Sequence, residues 1–386
     1  MIWLLAAILW FGILTLAIPA RWALTAFELA LFALAGALIL RRRFVIGFHP
    51  VAVLLACAAF WGVLQIAIGS SVDAQRTLEA VLHWVTNCVA FSVALVLTRD
   101  RGRRQQFLTA QLIFALLLSV GAIIGLFTVS ALGPFVYRNQ FAAYIEVALG
   151  LAIAAAIWDR RRVLLWVLVA AALFASVVAA GSRAGVILSL LEFAVIPVAA
   201  FAHGWIPGRA LARVALLSAA AGAALVAVAG WETIWKRFAE SNPYALRADL
   251  VRSSLTMARE RPLLGFGLGT WSAAYPAYAR FDDGSFVNQA HNDWVQWADE
   301  GGLPLLLAMI AAAALLARPA ACSLWGLGLM AVFLHAVVDY PFEQRPALAA
   351  FFFAMAGALV TSLSERSSPG ALFRASSRFE NSPRAD

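Results

Sequence analysis

The chain alternates long apolar runs with short polar breaks. The apolar stretches cover approximately residues 2–19, 23–40, 51–68, 81–98, 107–132, 141–157, 163–180, 184–202, 211–229, 303–317, 323–339 and 346–362. A helix needs about 20 mostly apolar residues to cross a hydrocarbon core of about 30 Å, because backbone groups left unpaired in lipid are strongly unfavourable. The pattern therefore predicts an all-α polytopic membrane protein with about twelve transmembrane helices, forming a transmembrane helical domain over residues 1–363. One long interruption, residues 231–302, falls between spans nine and ten and is expected to be a folded loop inserted in that domain. From residue 364 the chain is rich in Ser and Arg with few apolar anchors, which predicts a disordered tail over 364–386. The first stretch lacks a basic leader and a small-residue cleavage site, so it is read as a span that stays.

Composition agrees. The chain is 63% hydrophobic and 13% charged, with a mean hydropathy of +0.84, whereas a soluble domain carries roughly 25% charged residues. A soluble fold is excluded. Cys57, Cys88 and Cys322 sit in or beside apolar runs and make neither a metal spacing nor a disulfide framework, so they are expected to be small buried hydrophobes. A net charge of +8 would suit a nucleic-acid partner, but the arginines lie between apolar segments and so speak of topology instead. Loops on alternate sides differ sharply: one set holds thirteen arginines, from Arg41 to Arg318, and the other short loops hold five, Arg21, Arg76, Arg138, Arg183 and Arg345. Basic short loops resist translocation. Both termini are therefore expected in the cytoplasm and the long loop outside. That loop holds seven Lys or Arg against nine Asp or Glu, so it is no basic patch.

The unusual chemistry lies on the outer side. Gly133-Pro134-Phe135-Val136-Tyr137-Arg138-Asn139-Gln140 puts an arginine and an amide at the boundary between spans five and six. Gly181-Ser182-Arg183-Ala184-Gly185 is a tight turn between spans seven and eight, whose arginine must snorkel or pair with an anion. In the long loop, Tyr244 to Glu260 has Leu246, Leu250, Ser254 and Met257 at helical spacing, and Pro262 stops it. The alternating Gly265, Gly267 and Gly269 then let backbone pass close to another surface. They are not a nucleotide fingerprint, which needs G-x-G-x-x-G in a strand-turn-helix setting. If residues 291–300 are helical, His291, Trp294 and Val295 share a stripe with Asp299 further along. His291, Asp293, Asp299 and Glu300 contain one nitrogen donor and no H-E-x-x-H, so no metal site is expected. No G-x-S-x-G elbow is present. His335 and Asp339, four apart, could hydrogen-bond along a helix. Glu28, Glu146 and Glu192 lie within spans, where an ionisable group is either functional or neutral and paired.

These residues resemble the O-antigen ligase and polymerase superfamily of bacterial envelope glycosyltransferases. The likeness rests on Arg138-Asn139-Gln140-Phe141-Ala142-Ala143-Tyr144, on Ser182-Arg183-Ala184-Gly185, on Arg247 ahead of Pro262-Leu263-Leu264-Gly265-Phe266-Gly267, and on His291-Asn292-Asp293 leading to Gly301-Gly302-Leu303-Pro304. It covers about residues 130–350. The resemblance implies an inner-membrane enzyme with its site facing the periplasm. Such an enzyme moves a glycan from undecaprenyl pyrophosphate to an acceptor hydroxyl, on lipid A-core in the ligases and on another lipid-linked repeat unit in the polymerases. It also implies that Arg183 and Arg247 bind the pyrophosphate and that His291 acts at the acceptor hydroxyl. Arg138, Asn139, Asn292, Asp293 and Asp339 are then expected to bind substrate. No cofactor or metal is expected, and one displacement would invert the anomeric centre. The ligase reading is preferred to the polymerase. Rival classes are a transporter, in which Arg183 and His291 would line an anion path, and an assembly protein that only docks partners. The lack of paired Gly/Pro-broken spans counts against transport.

Overall fold

The computed structural model describes residues 1–41, 49–125, 132–229, 232–239, 245–281, 284, 286–343 and 345–364. Among them the chain forms fifteen α-helices and no strand. They are α1 (Ile2–Leu14), α2 (Arg21–Leu40), α3 (Pro50–Ala67), α4 (Ala74–Leu97), α5 (Arg101–Ile123), α6 (Arg138–Trp158), α7 (Val163–Ala180) and α8 (Arg183–Ala202). Next come α9 (Gly208–Ala229), α10 (Glu232–Phe238), α11 (Ala245–Glu260), α12 (Trp271–Ala274), α13 (Asp293–Ser323), α14 (Gly326–His335) and α15 (Pro346–Thr361). Eight of these, α2 to α8 and α13, are long and apolar enough to cross a membrane, and α1, α14 and α15 are shorter apolar helices. The protein is an all-α polytopic membrane protein, and each of the twelve apolar stretches overlaps a helix. The tail over 365–386 lies outside the described residues, as do Arg42, Arg43 and Tyr244.

Two helices form the centre. In α6 every residue from Gln140 to Ile157 is buried, and in α15 all but two are. A helix apolar on every face belongs in a core or a membrane, and the surrounding helices supply the outer surface with exposed side chains such as Trp22, Leu40, Phe60 and Leu117. Small residues let the central backbones meet: a Cβ on Gly150 of α6 would stand 3.0 Å from the Gly328 backbone of α14, the close approach that small residues give in membrane bundles. At the arginine-rich end, buried Arg104 donates to the Thr361 carbonyl at 3.1 Å, at the carboxyl end of α15. A cation there meets the negative end of the helix dipole.

Three local readings change. Helix α14 stops at His335, so Asp339 sits on turns beyond it. The His335 side chain bonds Glu146 at 2.7 Å instead of Asp339. Helix α13 starts at Asp293 with Asn292 as its cap, so His291 lies outside the helix at φ 53° and shares no stripe with Trp294. The cysteines are also not all buried, since Cys57 and Cys322 are exposed on the bundle.

The long loop folds over the site end of the bundle. Leu250 and Met257 of α11 join Phe266, Trp271, Tyr275 and Ala290 in a small core of their own. Helix α13 breaks at Gly302, with φ 67° and ψ −169°. The break frees the last carbonyls of its first segment. Phe266 N–H donates to Asp299 O at 2.8 Å, Gly267 N–H to Glu300 O at 3.0 Å, and the Trp61 indole to Gly301 O at 2.8 Å. The alternating glycines serve this docking: all three have positive φ, and a Cβ on Gly267 would stand 2.5 Å from Ser71 Oγ.

Candidate active site

Four turns of chain meet where α6 and α8 begin and α14 ends, and Asp339 is the point at which they join. Its carboxylate is nearly buried and accepts from Asn139 Nδ2, from Arg247 Nη2 at 3.0 Å and from the Tyr340 backbone N–H at 3.0 Å. His291 Nδ1 stands 3.7 Å from Asp339 Oδ1, an ion-pair separation. Burial pushes the Asp339 carboxyl up, but His291, Arg247 and His335 around it outweigh burial and hold it below the usual carboxylate range. Asp339 is thus the fixed anion of a cationic cluster.

Each partner is held by its own element. Asn139 is the second residue of α6, and its Oδ1 accepts from Ser182 Oγ at 2.7 Å. Ser182 in turn caps α8, accepting from Gly185 N–H at 3.1 Å, as a serine at that position should. Arg138 and Arg183 are the first residues of those two helices, each half-buried. Two helix amino ends therefore bring partial positive charge to the side on which both arginines lie. Arg247 reaches across from α11 and also donates to Val338 O at 2.8 Å, which fixes its guanidinium in a two-point grip. The His291 ring packs edge-on against Tyr340 at 4.6 Å between centroids, and Tyr340 packs on Tyr137 at 5.9 Å.

The structure thus brings His291, Arg247, Asn139 and Asp339 into one contact set, with Arg138 and Arg183 each one residue from a member of its hydrogen-bond chain. Asn292 and Asp293 are engaged within the protein. Asn292 Oδ1 accepts from Val295 N–H at 3.0 Å as the cap of α13. Asp293 N–H donates to Ala336 O at 2.9 Å, and its Oδ2 accepts from Phe342 N–H at 2.9 Å. Together they clamp the turns that carry Asp339 to the segment that carries His291. Sequence reasoning missed Ser182 and Tyr340 as parts of the site. The serine had a usable signal, since Ser-x-x-Gly opening an apolar run is a helix start; the tyrosine had none.

Among the described residues no group of three or more His, Cys, Asp or Glu converges as metal ligands do. What the cluster can do follows from its charge: three arginines and two helix amino ends suit an anion rich in oxygen, and an imidazole backed by a carboxylate suits proton transfer.

No curated protein matches the chain. Residues 168–310 match the family model described as O-antigen ligase. The matched stretch holds Arg183, Arg247 and His291, and Asn139 and Asp339 complete their site from outside it. Over that stretch, somewhat more than a third of its length, the chain is similar to the O-antigen ligase family.

Proposed function

We propose that the protein is a membrane glycosyltransferase that moves a glycan from undecaprenyl pyrophosphate to an acceptor hydroxyl at the periplasmic face, with lipid A-core as the acceptor. The observation that carries this reading is the convergence of Arg247, His291 and Asn139 on the buried Asp339. In the reaction, the acceptor oxygen attacks the anomeric carbon while the bond from that carbon to the pyrophosphate oxygen breaks. The hydroxyl proton passes to His291 Nε2, because Nδ1 faces Asp339, whose charge then stabilises the imidazolium. Charge growing on the leaving pyrophosphate is met by Arg183 and Arg247, with Arg138 and Asn139 at the donor head group. Fixed guanidinium charge makes a metal unnecessary for that step. A single displacement inverts the anomeric configuration. Products are the extended acceptor and undecaprenyl pyrophosphate.

The same core would serve a polymerase, whose acceptor is a second lipid-linked repeat. The experiment that decides uses the full chain in lipid nanodiscs with lipid-linked glycan and both acceptors. Growth on lipid A-core is the expected result; extension of the lipid-linked chain would make the protein a polymerase. His291→Ala should lower transfer by about 10² to 10⁴, the range for a lost general base. Undiminished transfer in a properly inserted His291→Ala protein would remove the histidine from the mechanism.

A further inference from the structure

Beside the arginine cluster lies a cavity of about 460 Å³, within the roughly 300 to 1,000 Å³ of small-ligand sites. It has a different character. Its wall is polar, with Glu79, Glu300, Glu343, Asn288, Gln289 and Gln296 among the lining residues. Two arginines also line it, but Arg21 is paired with Glu79, and Arg76 with Asp73 at 3.3 Å and Ser272 at 2.5 Å. With both guanidiniums already paired, the wall keeps no unpaired guanidinium for a diphosphate. What the wall offers is a mixture of donors and acceptors, the chemistry that recognises hydroxyl groups.

Three further features sharpen the point. The Gln289 amide oxygen is buried and has no hydrogen-bond partner in the protein, and such an atom is unfavourable unless a ligand or water supplies a donor. Glu300, by contrast, is held still by Gly269 N–H at 2.7 Å, Trp271 N–H at 3.1 Å and Gln296 Nε2 at 3.1 Å, so the wall is preorganised. Burial and the nearby Glu300 push the Glu343 carboxyl up to about 8, against the hydrogen bond from Trp297. At neutral pH it therefore meets the cavity mostly as a neutral group able both to donate and to accept.

Two lining residues of the cavity lie close along the chain to the cluster. Gln289 stands two residues before His291, and Glu343 four residues after Asp339. We propose that this chamber is the saccharide subsite for the acceptor, holding the neutral, hydroxyl-bearing end of its glycan beside His291 while the donor pyrophosphate lies on the arginine side. The assignment to the acceptor rests on the transferase reading above; the binding of a saccharide does not.

The test uses the full chain in nanodiscs. Ser272→Trp fills the chamber from a partly exposed position, and Gln289→Leu removes the unpaired amide. Each should raise the acceptor KM by about tenfold or more, the effect of a lost buried polar contact, and leave the donor KM within about twofold. Binding is read separately by saturation-transfer NMR with core oligosaccharide freed of lipid A. His291→Ala protein should bind it, and the same protein carrying Ser272→Trp should not. Unchanged acceptor KM in both variants, a rise in donor KM instead, or equal oligosaccharide signals would overturn the subsite. Binding that depends on Ser272 in a protein without transfer would sink the transferase and leave the subsite standing; neither transfer nor binding would sink both.

Discussion

At the scale of single residues, the site is organised by one anion. Asp339 joins the guanidinium of Arg247 to the ring of His291 and fixes the amide of Asn139. Because its folded pKa is depressed, its stabilising charge is present above the ordinary carboxylate value and is lost only as pH falls through the lower folded one. Between about pH 5 and 8 it is a constant. Asp339→Asn should therefore lower kcat by about 10²-fold, with a smaller rise in donor KM as Arg247 loses one of its two anchors, and the loss should persist across that pH range. Asp339→Glu should recover part of kcat. An equal drop in the yield of folded protein for both variants, with normal kcat in what remains, would make Asp339 a structural residue alone.

The elements explain why some of this was legible in the sequence and some was not. Helices α2 to α8 could be read directly, because lipid demands long apolar runs and little else. Arg183 could be picked out as an arginine in a tight turn of an otherwise arginine-poor set of loops, and His291 by its dense polar surroundings between spans; Arg247 could be singled out only through the family resemblance. Their meeting could not: Asn139 and Asp339 are 200 positions apart, and what joins them is the packing of α6 against α8 and α14. The placing of His291 on a helical stripe failed for a local reason, since Asn292 caps α13 and turns the chain just before it. The break at Gly302 was present in the letters Gly301-Gly302-Leu303-Pro304 but not its purpose, which is to expose carbonyls for the glycine turn of residues 265–269. Gly302 has φ 67°, and a Cβ there would fall against the carbonyls of Leu263 and Pro262. Gly302→Ala should destabilise the protein by about 2 to 4 kcal/mol, combining left-handed strain with overpacking. Thermal unfolding in detergent would register it as a drop of several degrees; an unchanged midpoint would show that the break relaxes without loss.

For the whole molecule, the deciding quantity is which way the bundle faces. Its two ends are chemically unlike: one carries Asp339 and its partners, the other the exposed turn of Arg160, Arg161 and Arg162 and the buried Arg104 under the ends of α4 and α15. Short loops rich in arginine stay in the cytoplasm, so the Asp339 end should face the periplasm, where a lipid-linked glycan and lipid A-core could meet it without a nucleotide sugar. The expectation can be checked without any enzymology. With Cys57, Cys88 and Cys322 replaced by Ala, a single cysteine is placed either at Gly284, exposed in the long loop, or at Arg161, exposed on the opposite end. In spheroplasts a charged maleimide that cannot cross the membrane should label Gly284→Cys and leave Arg161→Cys untouched until detergent is added. The reverse pattern would put the arginine-histidine cluster in the cytoplasm, away from the proposed acceptor, and the transfer reaction would have to be given up even if every contact around Asp339 proved correct.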